Sequence, residues 1–151
     1  MMFSANEQET FRDSVALVFG DFELRGYILG SLLVQEVAGL GEYLSLTLLW
    51  DATATKMEFW YLRTPDGKRD ALCVFFMRGQ SRVFTIEEYL KWRGAPFDKI
   101  KECQLAEYEG ALRDRMIRCL SATRSAYDHK LLEALSGVAW PSVPIDWGGL
   151  K

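Results

Sequence analysis

The sequence is poor in the residue types that build metal sites and nucleophilic centres. Its 151 residues include one histidine, His129, and three cysteines with no C-x-x-C spacing. We therefore expect no structural zinc and no disulfide framework. Cys73 and Cys119 stand at apolar positions typical of small buried side chains in a reducing compartment. No metal and no cofactor is expected.

Long hydrophobic runs and an excess of positive charge are also missing. The apolar stretches 28–34 and 72–77 are too short to cross a bilayer, and the first residues do not resemble a signal peptide. We therefore expect a cytoplasmic protein that does not bind membranes. With 18 basic and 21 acidic residues, the net charge is −3, which disfavours a general nucleic-acid binder.

Catalytic signatures are equally scarce. The sequence contains no P-loop, dinucleotide or nucleophile-elbow motif. His129 follows Asp128, but adjacent helical residues do not face each other, so we interpret His129 as a surface residue. The four arginines between 113 and 124 resemble a phosphate-binding face, but carboxylates one helical turn away favour ion pairs instead.

The charges that are present are unevenly distributed. Residues 1–58 contain nine acidic and three basic side chains, whereas residues 59–101 contain five and nine. An acidic first third would steer a basic partner towards the molecule, which affects the encounter rate more than the final affinity. The alternative is that these charges only keep the surface soluble.

The chain begins with a helix signal. Ser4 and Glu7 have the spacing of a capping box, in which each side chain bonds the backbone amide of the other residue. Four apolar residues follow at helical spacing: Phe11, Val15, Val18 and Phe19. Gly20 is predicted to end this helix in a left-handed conformation.

Between residues 27 and 77 the apolar period changes to two, which is typical of strands. We predict four strands, over 30–37, 43–50, 57–63 and 71–77, joined as an antiparallel meander. The first is ambiguous, because Leu29, Leu33 and Val37 also fit helical spacing. The predicted turns are Gly39-Leu40-Gly41 and Thr64-Pro65-Asp66-Gly67.

Three further helices are predicted after the strands. Thr85 and Glu88 form a second capping box for a helix over 86–93, and a longer amphipathic helix follows through 105–120, weakened at Gly110. Ser125 is predicted to cap a last helix, which would extend to residue 135. An extended tail over 138–151, rich in Trp and Pro, then packs back on the domain.

This order of elements predicts a single α+β domain spanning residues 1–151. It would comprise an N-terminal helix, a four-stranded antiparallel meander, three C-terminal helices and the extended tail. The segments 57–62 and 72–77 carry bulky apolar groups at successive positions, so both faces of the sheet would be apolar. We favour cover by the chain's own helices. The alternative keeps one face for a ligand or a protein partner.

The candidate binding residues combine the acidic first third with the aromatic middle strand. No catalytic residue is predicted. The binding candidates are Glu36, Glu42, Asp51, Glu58, Trp60 and Tyr61.

Three stretches give the chain the layout of a known class. They are Gly39-Leu40-Gly41 within a long hairpin, the capped segment 84–94, and the terminal Ile145-Asp146-Trp147-Gly148-Gly149. In this order of elements the chain resembles the small α+β immunity proteins that neutralise bacterial toxins. The resemblance implies a protein that binds one toxin domain tightly and stoichiometrically, masking its active site. An acidic surface would suit a basic target.

Two alternatives remain open. The first is a small-ligand-binding protein or enzyme with a pocket between sheet and helices, lined by Trp60, Phe75 and Tyr108, with Glu58 or Asp51 as its polar group. The second is a homodimer or larger homo-oligomer built on an apolar sheet face or on the tail.

Overall fold

The computed structural model describes residues 3–37, 41–50, 55–63, 70–78, 82–85, 105 and 108–126. These residues form two α-helices and one antiparallel sheet of six strands. The helices are α1 (Ala5–Phe19) and α2 (Leu112–Ala126). The strands are β1 (Ile28–Leu29), β2 (Leu33–Val37), β3 (Gly41–Trp50), β4 (Thr55–Arg63), β5 (Asp70–Arg78) and β6 (Arg82–Thr85).

The first helix forms as its sequence predicts. The Ser4 hydroxyl accepts from the Glu7 amide at 3.1 Å, and the Glu7 carboxylate accepts from the Ser4 amide at 2.9 Å. Both halves of the capping box are therefore present. The stripe made by Phe11, Val15 and Phe19 is buried, which fixes the face that α1 turns towards the sheet.

The α-helix ends at Phe19 with Gly20 as its C-cap, as predicted, but the predicted left-handed conformation of Gly20 is wrong. Gly20 has φ −61° and ψ −30°, and the chain continues from it into a 3₁₀ helix, Gly20–Arg25. The extra turn carries Phe22 into the core, where its ring lies 5.2 Å from Phe19 and 5.3 Å from Tyr27. The left-handed stop is instead at Gly26, with φ 92°.

The sheet is larger than predicted. Its order is β1-β3-β4-β5-β6, and β2 pairs with the same side of β3 as β1. The four predicted strands are all present, but β1 and β6 make the prediction of a four-stranded meander wrong in strand number. The two predicted turns, apart from Gly41 at the start of β3, lie outside the described residues.

The prediction of three C-terminal helices is also wrong, since the described residues contain one α-helix after the sheet. It begins at Leu112, two residues after Gly110, whose φ of +111° is incompatible with helix. Ser125, predicted to cap a further helix, lies inside α2. A tertiary contact explains this, because Arg124 binds Asp21 and so holds the last turn of α2 in place.

Several C-terminal predictions fall outside the described residues. These are the helix over 86–93, the part of the last predicted helix beyond residue 126, and the extended tail over 138–151.

The core lies between the helices and one face of the sheet, called here the inner face. Its buried side chains are Leu44, Leu46, Leu48, Met57, Phe59, Tyr61, Leu72 and Val74. Phe11, Val15 and Phe19 of α1 and Met116, Cys119 and Leu120 of α2 complete the same cluster. Both described helices therefore pack on one face, although cover of both faces was expected.

The opposite, outer face carries the alternate residues of the same strands. In β3, β4 and β5 these include Tyr43, Ser45, Glu58, Trp60, Cys73 and Phe75. Tyr43 and Ser45 are buried, whereas Trp60, Cys73 and Phe75 are half-buried. The sheet thus has two chemically different sides, and the candidate binding residues fall on both.

Candidate functional site

The edge formed by β1 and β2 contains a β-bulge. Residues 30–32, which connect β1 to β2, stand opposite only two residues of β3. The reason is that the register of pairing with β3 differs by one residue between β1 and β2. The amide of Gly30 still donates to the carbonyl of Thr47 at 2.8 Å, so the bulged segment stays attached. The pairs that define the change are Ile28↔Leu49, Leu29↔Leu48, Leu33↔Ser45 and Val34↔Leu44.

The bulge decides which apolar side chains of this edge reach the core. Leu29 and Leu32 both pack against the core cluster. Ile28 and Leu33 take outer-face positions and are 54% and 51% exposed. Without the extra residue, strict alternation would put Ile28 and Leu33 on opposite faces. The bulge therefore also explains why the sequence of this segment fits no single period.

We call Ile28, Leu33, Val34 and Glu36 the exposed edge. Val34 faces the inner side but lies at the margin of the sheet and is 40% exposed. Glu36 is exposed and stands directly opposite Glu42 across the strand pair. Two predicted binding residues are thus brought together, and their carboxylates make this end of the edge acidic.

Glu58 and Trp60 also meet, on the outer face. The Trp60 indole donates to the Glu58 carboxylate at 3.0 Å. The Trp60 ring lies between Tyr43 and Phe75, with ring centroids 4.4 Å away on each side. Trp60 stands opposite Ser45 and Cys73 in the register, so each ring pair is a diagonal neighbour across two strands. These rings form an aromatic ladder over β3, β4 and β5.

Polar contacts connect the ladder to the exposed edge. The Tyr43 hydroxyl donates to the Gln35 side-chain carbonyl at 2.7 Å, and the Gln35 amide donates to the Ser45 hydroxyl at 3.2 Å. Burial, followed by the charge of Glu58, raises the pKa of Tyr43 above its usual value. The hydroxyl of Tyr43 helps to hold β2 against β3 through its hydrogen bond to Gln35.

The remaining candidates lie apart from this surface. Tyr61 follows Trp60 in β4, points to the inner face and is fully buried. Asp51 lies outside the described residues. Tyr108, expected to line a pocket with Trp60, packs against the core cluster, under the guanidinium of Arg118 at 5.0 Å. Trp60 and Tyr108 are on opposite sides of the sheet and do not share a pocket.

The structure reveals a charged cluster that sequence reasoning missed, beside Tyr61. Arg63 donates to the Glu7 carboxylate and, at 3.0 Å, to the Tyr61 hydroxyl. The Tyr61 hydroxyl donates to Asp70 at 3.1 Å. Arg115 donates to both oxygens of Asp70, at 3.0 and 3.2 Å. One hydrogen-bonded chain thus connects α1, two strands and α2.

This cluster connects four elements of the fold through partly buried hydrogen bonds. Burial, followed by the charge and hydrogen bond of Asp70, raises the pKa of Tyr61 far above its usual value. Tyr61 therefore remains a neutral phenol at physiological pH. A sequence signal did exist, since Arg63 and Asp70 are opposite charges that flank a predicted turn and face each other in the register.

A second ion pair fixes the other end of α2. Arg124 donates to both oxygens of Asp21, at 2.7 and 2.8 Å, and to the carbonyl of Val18 at 2.9 Å. Its guanidinium also lies 4.5 Å from the Phe22 ring centroid. Arg115 and Arg124 therefore bind carboxylates from distant parts of the chain, whereas the sequence suggested partners within the helix.

Among the described residues, no group of three His, Cys, Asp or Glu side chains is placed to hold a metal ion. In the same part of the chain, neither helix is long and apolar enough to cross a membrane. Comparisons with protein-family models, with curated proteins and with solved structures find no significant match to the chain.

Proposed function

We propose that the protein is a protein-binding module that takes a basic protein partner on the exposed edge. The observation that carries the proposal is the exposure of three apolar side chains at one sheet margin, Ile28 and Leu33 on its outer side and Val34 on its inner side, with the exposed Glu36 next to them in β2. Exposed apolar side chains grouped with a polar rim are typical of protein interaction sites.

The chemistry of the exposed edge supports a protein partner. Ile28 and Leu33 pair with Leu49 and Ser45, which are four residues apart in β3 and so separated by about 13 Å. That spacing suits two anchor side chains of a macromolecule better than a single small ligand. Burial of such side chains supplies affinity, whereas the carboxylate of Glu36 supplies orientation.

The charge of this region supports a basic partner. Of the nine acidic side chains in residues 1–58, Glu7 and Asp21 bind Arg63 and Arg124, whereas Glu36 and Glu42 stand opposite each other at the exposed edge. Carboxylates at the edge raise the rate of encounter with a basic protein, and the rate falls as salt increases. The resemblance to toxin-neutralising immunity proteins suggests a basic toxin domain as the partner. In that case a stoichiometric complex would abolish the activity of the toxin.

Affinity capture from an extract of the source organism tests the proposal. The bait is the full chain, compared with the triple variant Ile28→Ser, Leu33→Ser, Val34→Ser. Leu17→Ser is the matched control, because Leu17 is 60% exposed on α1, away from the edge. We expect mass spectrometry to find one protein enriched by the wild type and the control but not by the triple variant.

The captured protein must then bind in purified form, with an association rate that falls between low and high salt. Circular dichroism establishes that the triple variant is folded. A bait that enriches no protein, or an enrichment that the triple variant retains, would contradict the proposal.

A further inference from the structure

We propose that the partner binds by strand addition, with an extended basic segment pairing antiparallel to β2. This inference rests on the proposed function and specifies how the exposed edge is used. β2 pairs with β3 on one side, and within the described ranges no strand pairs with its other side. Alternate backbone N–H and C=O groups of such an edge point away from the sheet and can pair with an added strand.

The bulge sets the length of the added strand. Residues 30–32 interrupt the regular ladder, so the uninterrupted edge is the five-residue strand Leu33–Val37. Bulges limit long edge-to-edge pairing between sheets while leaving short segments able to add. A short extended peptide segment therefore fits this edge better than the broad edge of another sheet.

The charge of β2 argues against a second copy of this chain as the occupant. Its sequence, Leu33-Val34-Gln35-Glu36-Val37, contains one acid and no base. Two copies of β2 paired antiparallel would bring no cation to Glu36 in any register. A segment with Lys or Arg opposite Glu36 provides one, and cross-strand pairs of opposite charge favour pairing.

The register translates this into a sequence pattern for the partner. An antiparallel partner runs in the opposite direction to β2. Along its own sequence, the residue opposite Glu36 therefore precedes the residues opposite Gln35, Val34 and Leu33. Val34 and Leu33 are exposed and apolar, on opposite faces. The partner segment therefore reads as one basic residue, one residue of any type, and two apolar residues in succession.

A random peptide library displayed on phage, selected against the immobilised full chain, tests the inference without knowledge of the partner. We expect enriched peptides to share the basic–any–apolar–apolar pattern. A synthetic peptide of this sequence should bind roughly tenfold more weakly to the double variant Leu33→Lys, Val34→Lys, since lysines on an edge oppose strand addition. The control Leu17→Lys should change its affinity by less than about twofold.

Two further measurements report on the binding mode itself. N-methylation of the peptide amides, one position at a time, should weaken binding at alternate positions only, because only alternate N–H groups of an added strand donate to the edge. The variant Glu36→Lys should bind a peptide with Glu in place of its basic residue better than it binds the original peptide. A purely structural role of Glu36 would not produce this exchange of preference.

The outcomes separate this inference from the proposed function. If the captured protein depends on Ile28, Leu33 and Val34 but no peptide of the expected pattern is selected, strand addition is wrong and the proposed function stands. If neither the captured protein nor the selected peptides depend on these side chains, the proposed function and the strand-addition inference are both wrong. If sedimentation shows a wild-type dimer that Leu33→Lys dissociates, the occupant of the edge is a second copy, which also overturns the inference.

Discussion

The two faces of the sheet arise from the same strands but are held by different kinds of contact. On the inner face, Phe59 and Tyr61 are fully buried and contact side chains of α1 or β5. On the outer face, Trp60 contacts only near neighbours in the sheet through its described ring and hydrogen-bond contacts. Because successive side chains of a strand point to opposite faces, neighbouring aromatic residues differ in role. Those on the inner face stabilise the core, and those on the outer face shape the surface.

The sharpest test of this difference compares one phenylalanine from each face. Phe59→Ala should lower the free energy of unfolding by about 3–5 kcal/mol, because it leaves a cavity against Phe19, 4.9 Å away. Phe75→Ala should cost about 1–2 kcal/mol, since Phe75 is half-buried and solvent can fill its place. Urea unfolding measures both values. Equal losses would mean that the two faces are equally buried in solution.

The two inter-element ion pairs provide the next comparison. Asp70→Asn should cost about 2–3 kcal/mol, because it removes the anion between Arg115 and Tyr61 in a partly buried cluster. Asp21→Asn should cost about 0.5–1 kcal/mol, since the Asp21 side chain is half-exposed and water screens its pair with Arg124. Thermal unfolding of the two variants in parallel gives the ranking. The reverse ranking would show that the cluster around Asp70 does not stabilise the fold.

The tyrosines of the two faces differ in the charge of their partners. Tyr61→Phe should cost about 1.5–3 kcal/mol, because the lost hydroxyl forms hydrogen bonds with two charged side chains, Arg63 and Asp70. Tyr43→Phe should cost about 0.5–1.5 kcal/mol, since its hydroxyl bonds the neutral Gln35. The shift of the urea unfolding midpoint measures both effects, provided that the dependence of the unfolding free energy on urea concentration is unchanged. A larger loss for Tyr43→Phe would contradict this assignment.

The same two tyrosines predict how stability responds to alkaline pH. Burial raises the pKa of both residues in the folded state, most strongly for Tyr61. The unfolded chain loses these protons near pH 10, so the stabilisation is complete below about pH 10 and is lost as the pH rises towards the folded pKa. Tyr61→Phe should reduce the slope with which the free energy of unfolding falls against pH, by up to about 1.4 kcal/mol per pH unit.

Urea unfolding between about pH 9 and pH 11 measures that slope. The change caused by Tyr43→Phe should be smaller than that caused by Tyr61→Phe. A slope that Tyr61→Phe leaves unaltered would indicate that Tyr61 ionises as freely in the folded protein as in the unfolded chain.

Local signals in the sequence predicted local structure well. Ser4 and Glu7 are three residues apart, so the cap that they form requires no residue further along the chain. The alternation of Leu44, Leu46 and Leu48 likewise indicated the inner face of β3, because each strand residue points opposite to the next. Gly20 does end the α-helix, but in a right-handed conformation that continues into a 3₁₀ helix and brings Phe22 into the core.

The site was harder to predict because its members come from distant positions. Arg63 and Glu7 are separated by 56 residues, and Asp70 and Arg115 by 45, so no spacing in the sequence connects them. Trp60 and Tyr61 were grouped as binding residues because both are aromatic, although alternation places them on opposite faces. The exposure of Ile28 and Leu33 depends on a bulge that no simple period indicates.

The bulge also makes the number of residues in the segment 30–32 more important than the identity of Ser31. Ser31 is exposed, and we expect most replacements of its side chain to be silent. Deletion of one residue in this segment would instead reverse the orientation of every residue on one side of it, turning Leu29 to solvent or Val34 and Glu36 away from their present side. A single lost codon here would therefore be as damaging as several simultaneous substitutions.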